Sequence, residues 1–374
     1  VETETLSHDL GVDRRLWSNG SAAGDKHQLL SAIARSMTYL NTPEAIKDYA
    51  EVDLPEGVTR DRVRRSLQRF RQLVLAAESP EMLDVAVREE FQFYRAAGTD
   101  GRGTVEFTGY YSPTFKASRQ RTADYRYPLY RRPADLDAWA QPHPTRIELE
   151  GKDGLQSDRG LLQGLELVWL RDRLDAFLVQ VQGSARLQLT DGGLMTVGYA
   201  GRTEYDYTSI GKQLVADGKF SRESLSLAKI RAYFRDRPQD LDDYLPRNRR
   251  FVFFEPTEGA PPIGSLNVPV TDGRSVATDK ALMPPGALAL IHAPLAEGSP
   301  KIAKPGATDA PFSETSGLKR DTTEWDSRYV LDQDTGGAIR GAGRVDLFVG
   351  VGADAEREAG EIDLSGHFYY LLLE

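Results

Sequence analysis

Cysteine is absent from the 374 residues, which removes disulfides, thiolate metal sites and a cysteine nucleophile together. Histidine is scarce. The five present, His8, His27, His143, His292 and His367, form no i, i+4 pair and no HExxH, so no histidine-built metal site is expected. No apolar run reaches the length of a membrane-crossing helix. An excess of positive charge is missing too. With 47 Lys and Arg against 56 Asp and Glu the net charge is −9, which argues against a nucleic-acid surface built on phosphate contacts. There is no G-x-S-x-G, and Gln182-Gly183-Ser184 lacks the strand–turn–helix setting that exposes a serine nucleophile. Gly336-Gly337 and Gly341-x-Gly343 precede no helical pattern, so neither a dinucleotide fingerprint nor a Walker loop is expected.

What is present describes a folded protein, with 40% hydrophobic and 28% charged residues. Single cores stop growing near about 250–300 residues, so two domains are expected. The first residues are Val1-Glu2-Thr3 rather than Met, which suggests a chain whose targeting segment has been removed, and hence export.

The first hundred residues predict helices. Lys26 to Leu40 aligns Leu29, Leu30, Ile33 and Met37 on one face. Thr59 caps a second run with Val63, Leu67, Phe70 and Val74, and Ser79-Pro80 opens a third that continues toward Gly98. From Thr104 the pattern turns to short strands, among them 105–111 and 177–182, and the middle reads as mainly strand. Helices return over 209–216 and 221–235. Strands follow at 251–254, 287–291, 329–331 and 368–373, so the last third reads as a β-barrel. Residues 296–323 read as one long surface loop.

One stretch carries most of the chemical information. Four glycines lie between Asp334 and Asp346, and glycine lets main chain approach a ligand closely, although tight barrel turns would use it equally. Asp346 sits in Val345-Asp346-Leu347-Phe348-Val349, where apolar neighbours would desolvate the carboxyl, raise its pKa and suit it to general acid catalysis. A solvent-facing Asp, or one paired with Arg344, is the open alternative. Asp334, before Thr-Gly-Gly, reads as a turn residue that orients rather than reacts. The middle of the chain sets tyrosines and amides at strand ends, including Tyr110, Tyr111, Gln182, Tyr199, Tyr205 and Tyr207, groups that suit a sugar groove as well as plain strand formation.

These residues resemble the membrane-bound lytic murein transglycosylase A family, over most of residues 104–374. The motifs that carry the resemblance are Thr108-Gly109-Tyr110-Tyr111-Ser112-Pro113, Tyr127-Pro128-Leu129-Tyr130, Val181-Gln182-Gly183-Ser184 and Gly198-Tyr199-Ala200-Gly201. With them go Ser209-Ile210-Gly211-Lys212, Phe251-Val252-Phe253-Phe254, Ser275-Val276-Ala277-Thr278-Asp279, Pro284-Pro285-Gly286 and Asp334-Thr335-Gly336-Gly337-Ala338-Ile339. The resemblance implies a mainly β fold with N-terminal helices (α+β). A double-psi β-barrel of residues 1–112 and 260–374 would pair with an inserted β-rich glycan-binding domain, 113–259, across a groove. It makes Asp346 the catalytic acid, with Asp334 and Asp279 in support, and Tyr111, Gln182, Ser184, Tyr199, Gly336 and Gly337 the substrate-binding residues.

The implied activity is exo-acting, non-hydrolytic cleavage of the β-1,4 bond between N-acetylmuramic acid and N-acetylglucosamine, ending in 1,6-anhydromuramic acid. One carboxylate serves as acid and then base, with no metal and no cofactor. The expected partner is the peptidoglycan glycan strand, not nucleic acid. The expected setting is a monomer in the periplasm, with lipid anchoring to the outer membrane a further implication. Two rivals stay open: a hydrolytic β-1,4-glycanase using Asp332 or Asp334 to activate water, and a non-catalytic wall-binding protein. One departure stands out. Where family members often carry Asn-Gly-His-x-Tyr after Gly-Tyr-Ala-Gly, this chain has Arg202-Thr203-Glu204-Tyr205-Asp206-Tyr207.

Overall fold

The computed structural model describes residues 10–18, 23–156, 160–222, 224–294, 325–337 and 339–374. The expected loop at 296–323 lies outside them.

Four helices lead: α1 (Lys26–Leu40), α2 (Pro43–Glu51), α3 (Arg60–Ala76) and α4 (Pro80–Glu90). Their starts follow from capping chemistry. Thr42, Thr59 and Ser79 each accept a hydrogen bond from the amide three residues on, and Pro43 and Pro80 occupy the first helical turn where no amide is needed. The helix opened by Ser79-Pro80, α4, stops earlier than its pattern suggested. Phe91–Arg95 is a strand, β1, because it pairs along its whole length with the last strand of the chain.

After β1 come β2 (Val105–Ser112), β3 (Thr114–Ser118), β4 (Tyr127–Tyr130), α5 (Arg146–Glu150), β5 (Glu166–Leu170), α6 (Arg173–Gln182), β6 (Ser184–Leu189) and β7 (Leu194–Arg202). Then follow α7 (Ile210–Ala216), α8 (Leu227–Asp236), α9 (Leu241–Tyr244), β8 (Val252–Pro256), β9 (Ser275–Ala277), β10 (Leu288–Ala293), β11 (Asp326–Asp334), β12 (Arg344–Val351), α10 (Ala353–Glu361) and β13 (Asp363–Leu373). The middle is therefore mixed helix and strand rather than mainly strand. Residues 177–182 are helical and not extended. Leu174, Phe177 and Leu178 pack with the α7–α9 core while Ala176 and Val179 pack under the neighbouring sheet. A helix buried on two sides loses its polar stripe and so presents the near-continuous apolar run of a strand.

Two mixed sheets organise the described residues, giving an α+β architecture. One has the order β4-β5-β3-β6-β7-β8. The other runs β1-β13-β10-β11-β9-β12-β2, and β2 pairs again with β13. Six of its strands thus make a hydrogen-bonded ring, with β2–β12 and β9–β11 parallel. The largest core fills this sheet and the N-terminal helices together. α10 lies directly on β2, and a Cβ at Gly109 would stand 2.6 Å from the Ala359 backbone, so only glycine fits there. The two sheets are tied where β2 ends. Ser184 Oγ donates to Ser112 Oγ at 3.0 Å, and Arg231 joins Asp175 of α6 (2.6 Å) to Glu356 of α10 (3.0 Å).

Candidate active site

Strand geometry decides which side chains meet. Thr108 and Tyr110 lie two apart on β2 and share a face, opposite that of Gly109 and Tyr111. Parallel register sets Asp346 of β12 beside Thr108 and Phe348 beside Tyr110. The contacts follow. Thr108 Oγ1 donates to Asp346 Oδ1 at 2.5 Å, and Arg344 Nε donates to the same oxygen at 3.0 Å. Arg344 Nη2 bonds Thr108 Oγ1 at 3.3 Å and reaches Asp346 Oδ2 at 3.5 Å. The Asp346 side chain keeps 15% of its surface open. Its setting is therefore the arginine pair that the sequence left open, not an isolated apolar pocket.

Asp334 lies at the end of β11, just past a one-residue register shift that falls at Gln333. The shift has a cause: Gln333 is fully buried and donates from its amide to Ala32 O (2.8 Å) and Ser36 Oγ (2.9 Å) on α1. Asp334 Oδ1 accepts from the Ser265 and Thr335 amides, each at 2.8 Å, and Oδ2 accepts from Tyr110 Oη at 2.8 Å. Burial raises the pKa of this carboxyl, and these hydrogen bonds pull in the other direction without cancelling it. The Tyr110 phenol is held well above its ordinary value, chiefly by burial and then by Asp334, so it remains a donor.

Asp279 accepts from the Gly341 amide at 2.8 Å and the Ala281 amide at 3.2 Å, and so holds the glycine-rich turn that feeds β12. Asp332 has no exposed surface; Thr278 Oγ1, Tyr370 Oη and Lys280 Nζ surround it. It cannot activate a solvent water. Lys280 also reaches Asp334 O at 2.5 Å, linking the two aspartates.

The residues expected to bind substrate divide. Gln182, at the end of α6, accepts from the Tyr111 amide through Oε1 at 3.3 Å, and Ser184 meets Ser112 at the same junction. Tyr199 on β7 is 50% exposed. A Cβ on Gly337 would collide with the Arg250 guanidinium, 1.8 Å from Nη1, so Gly336-Gly337 lies against the other sheet's wall. Tyr111 does not join them. Its ring is buried on the α10 face of β2, and Tyr110, one residue earlier, takes the face shared with Asp346.

Three arginines were not among the expected site residues. Arg250 and Arg202 both donate to Tyr205 O, at 2.7 and 3.4 Å. Arg250 and Arg340 both stand near Asp206 Oδ1, at 4.0 and 3.9 Å. Burial, then Arg202, lower the Arg250 guanidinium to about 10; Asp206 opposes them, and Arg340 adds a smaller lowering. Tyr207 lies within electrostatic range of both Arg344 and Arg250, so this group continues from the Asp346 cluster. The available signal was the departure after Gly201, which introduced Arg202 and Asp206 together. Among the described residues no three His, Asp or Glu side chains assemble to hold a metal, and no helix is long and apolar enough to cross a membrane.

Residues 106–255 match the model of the MltA specific insert domain and residues 274–372 that of the 3D domain. The chain is 32% identical over 287 residues to membrane-bound lytic murein transglycosylase A of Vibrio cholerae serotype O1, covering 76% of this chain and 69% of that one. It is 30% identical over 280 residues to the protein of the same name from Escherichia coli K12, with 74% and 68% covered. The crystal structure of membrane-bound lytic murein transglycosylase from Agrobacterium tumefaciens superposes with a TM-score of 0.69 at 26% identity, over 93% of each chain. That of E. coli MltA with bound chitohexaose shares the fold, with a TM-score of 0.66 at 24% identity over 92% of this chain and 89% of that one. With two family models matched over residues 106–255 and 274–372, and relatives matched over two thirds of their length, the chain belongs to the membrane-bound lytic murein transglycosylase A family of enzymes.

Proposed function

We propose that the protein cleaves the β-1,4 bond between N-acetylmuramic acid and N-acetylglucosamine of peptidoglycan without water, leaving 1,6-anhydromuramoyl ends, and that Asp346 is both acid and base. The observation that carries this reading is the difference between Asp346 and the other carboxylates. Asp332 is sealed off, Asp279 holds backbone amides, and both oxygens of Asp334 are occupied. Asp346 alone of these has an oxygen, Oδ2, with only one long contact. Protonated there, Asp346 gives its proton to the glycosidic oxygen as the bond to C1 breaks; the carboxylate then takes the proton of the muramoyl C6 hydroxyl as that oxygen closes on C1. Thr108 and Arg344 hold Oδ1 and so fix which oxygen reacts. A hydrolase would need a second reachable carboxylate to activate water, and the occupied state of Asp332 and Asp334 weighs against one.

The ring of six paired strands supports a double-psi β-barrel made by residues 1–112 and 260–374, with 113–259 as an inserted glycan-binding unit. The E. coli relative holds chitohexaose, and we carry a β-1,4-glycan over to the groove bounded here by Tyr110, Gln182, Ser184, Tyr199, Gly336 and Gly337. Membership of a membrane-bound family supports an envelope location, exported and lipid-anchored. The test is incubation with purified sacculi and mass spectrometry of the released muropeptides, beside Asp346→Asn. Anhydro ends that vanish in the variant are expected. Reducing ends one water heavier would overturn the non-hydrolytic chemistry.

A further inference from the structure

We propose that the groove carries an anion subsite, formed by Arg250, Arg202 and Arg340 beside Tyr199 and the Gly337 main chain, that takes a carboxylate on the side arm of the muramoyl unit. This rests on the reading of the protein as a peptidoglycan-cleaving enzyme and adds what distinguishes its substrate from a neutral glycan.

Charge and geometry carry the argument. Arg202 and Arg250 converge on one carbonyl, Tyr205 O, and Arg250 and Arg340 converge on one carboxylate oxygen of Asp206. Three guanidiniums thus crowd together with a single carboxylate between two of them. That carboxylate is 93% exposed and stands at the outer limit of ion-pair distance, so it leaves the cluster with surplus positive charge. Arg250 is 6% exposed, and its Nη2 is buried without a hydrogen-bond partner among the described residues. Buried charged donors are ordinarily satisfied, and guanidinium forks match carboxylates in shape. The absent side chain at Gly337 lets its main chain lie directly against the Arg250 fork, since any Cβ there would occupy the fork's space.

Position decides the ligand. Tyr207 has both Arg250 and Arg344 as electrostatic neighbours, and Arg344 bonds the proposed acid, so Tyr207 and Arg344 connect the cluster to Asp346; half-exposed Tyr199 adjoins it. A sugar bound at Asp346 would reach the arginines with a substituent, not with its ring. Muramic acid is the unit of the strand with an acidic arm: the lactyl carboxylate when bare, the carboxylates of the attached peptide when substituted.

The experiment is calorimetric binding with the full chain carrying Asp346→Asn, so that no ligand is cleaved. The ligands are chitohexaose, bare muramoyl–glucosaminyl strands and peptide-bearing strands of equal length. Acidic strands are expected to bind at least tenfold tighter than chitohexaose at low salt, with the margin shrinking as salt rises. Arg202→Gln with Arg340→Gln, both on partly exposed side chains, is expected to remove most of that margin and leave chitohexaose affinity within about twofold; Arg250→Gln should act likewise if it folds. Tighter binding of bare strands identifies the lactyl carboxylate, and of peptide-bearing strands the stem. Equal affinity for neutral and acidic ligands, or a variant that weakens both equally, overturns the subsite. Failure of every glycan to bind overturns the functional reading beneath it.

Discussion

Arg274 and Arg250 are both buried guanidiniums, one inside the seven-stranded sheet and one just ahead of β8 against Gly337, and their surroundings treat their charge differently. Arg274 donates to Asp13 Oδ2 at 2.5 Å, to Tyr329 O at 2.8 Å, and to both oxygens of Asp25. Burial opposes its charge, but Asp13 and Asp25 outweigh burial and hold the guanidinium above its ordinary value. Arg250 has its Nε on a carbonyl, Nη2 without a partner, and two other arginines for neighbours. An interior that closes every hydrogen bond around a charge fixes the fold. A wall that leaves bonding capacity open is suited to a ligand, because the missing partner can arrive from outside. The same contrast separates Asp332, enclosed by Thr278, Lys280 and Tyr370, from Asp346 with its open Oδ2.

The comparison is sharpened most by Asp346→Asn, which keeps shape and removes the titrating proton. Activity on sacculi should fall about 10⁴-fold, since one carboxylate is assigned both proton transfers, while the unfolding midpoint stays within the range of a surface change. Arg274→Ala should give the reverse. Leaving Asp13 buried without its cation costs about 3–5 kcal/mol, read by urea unfolding, and the fraction still folded should retain the wild-type turnover per active molecule. If Arg274→Ala lowered turnover without lowering stability, the division between a closed interior and an open wall would fail. Thr108→Val comes next. It deletes one of the two hydrogen bonds on Asp346 Oδ1, so initial rates should fall about tenfold with KM little changed; an unchanged rate would show that Arg344 alone orients the acid.

The interior was more legible in the sequence than the wall. Thr59, Ser79 and Pro80 announced their helices because capping is local chemistry, and the apolar runs at 287–291 and 368–373 announced strands because one strand carries that pattern by itself. Phe177 to Gln182 misled because a helix buried on two sides has no polar stripe. Phe91–Arg95 misled because its pairing with Leu373–Tyr369 is a contact between segments far apart in the chain. Asp346 was legible as a candidate and its pairing with Arg344 as an alternative, both being neighbours in one strand. The meeting of Arg202, Arg250 and Arg340 was not, because three separate segments supply it and each arginine alone resembles a solvated surface charge.

The smallest effect tests Asp334, which sits between the two regimes: fully hydrogen-bonded, yet with its charged form penalised by burial. For an acid whose folded pKa is raised above its unfolded value, the folded state holds the proton more tightly. The stability it contributes is fully present below the unfolded pKa and is lost as pH rises through the raised folded pKa. Asp334→Asn never ionises, and its Oδ1 can still accept from the Ser265 and Thr335 amides while its amide nitrogen donates to the Tyr110 oxygen. The variant's unfolding temperature relative to wild type should therefore be higher at pH 7 than at pH 4, by a small margin read in parallel thermal melts. A difference that grows toward acid would mean that the hydrogen bonds from Tyr110, Ser265 and Thr335 stabilise the carboxylate more than burial penalises it. Asp334 would then belong with the charges the interior has fully answered, beside Arg274.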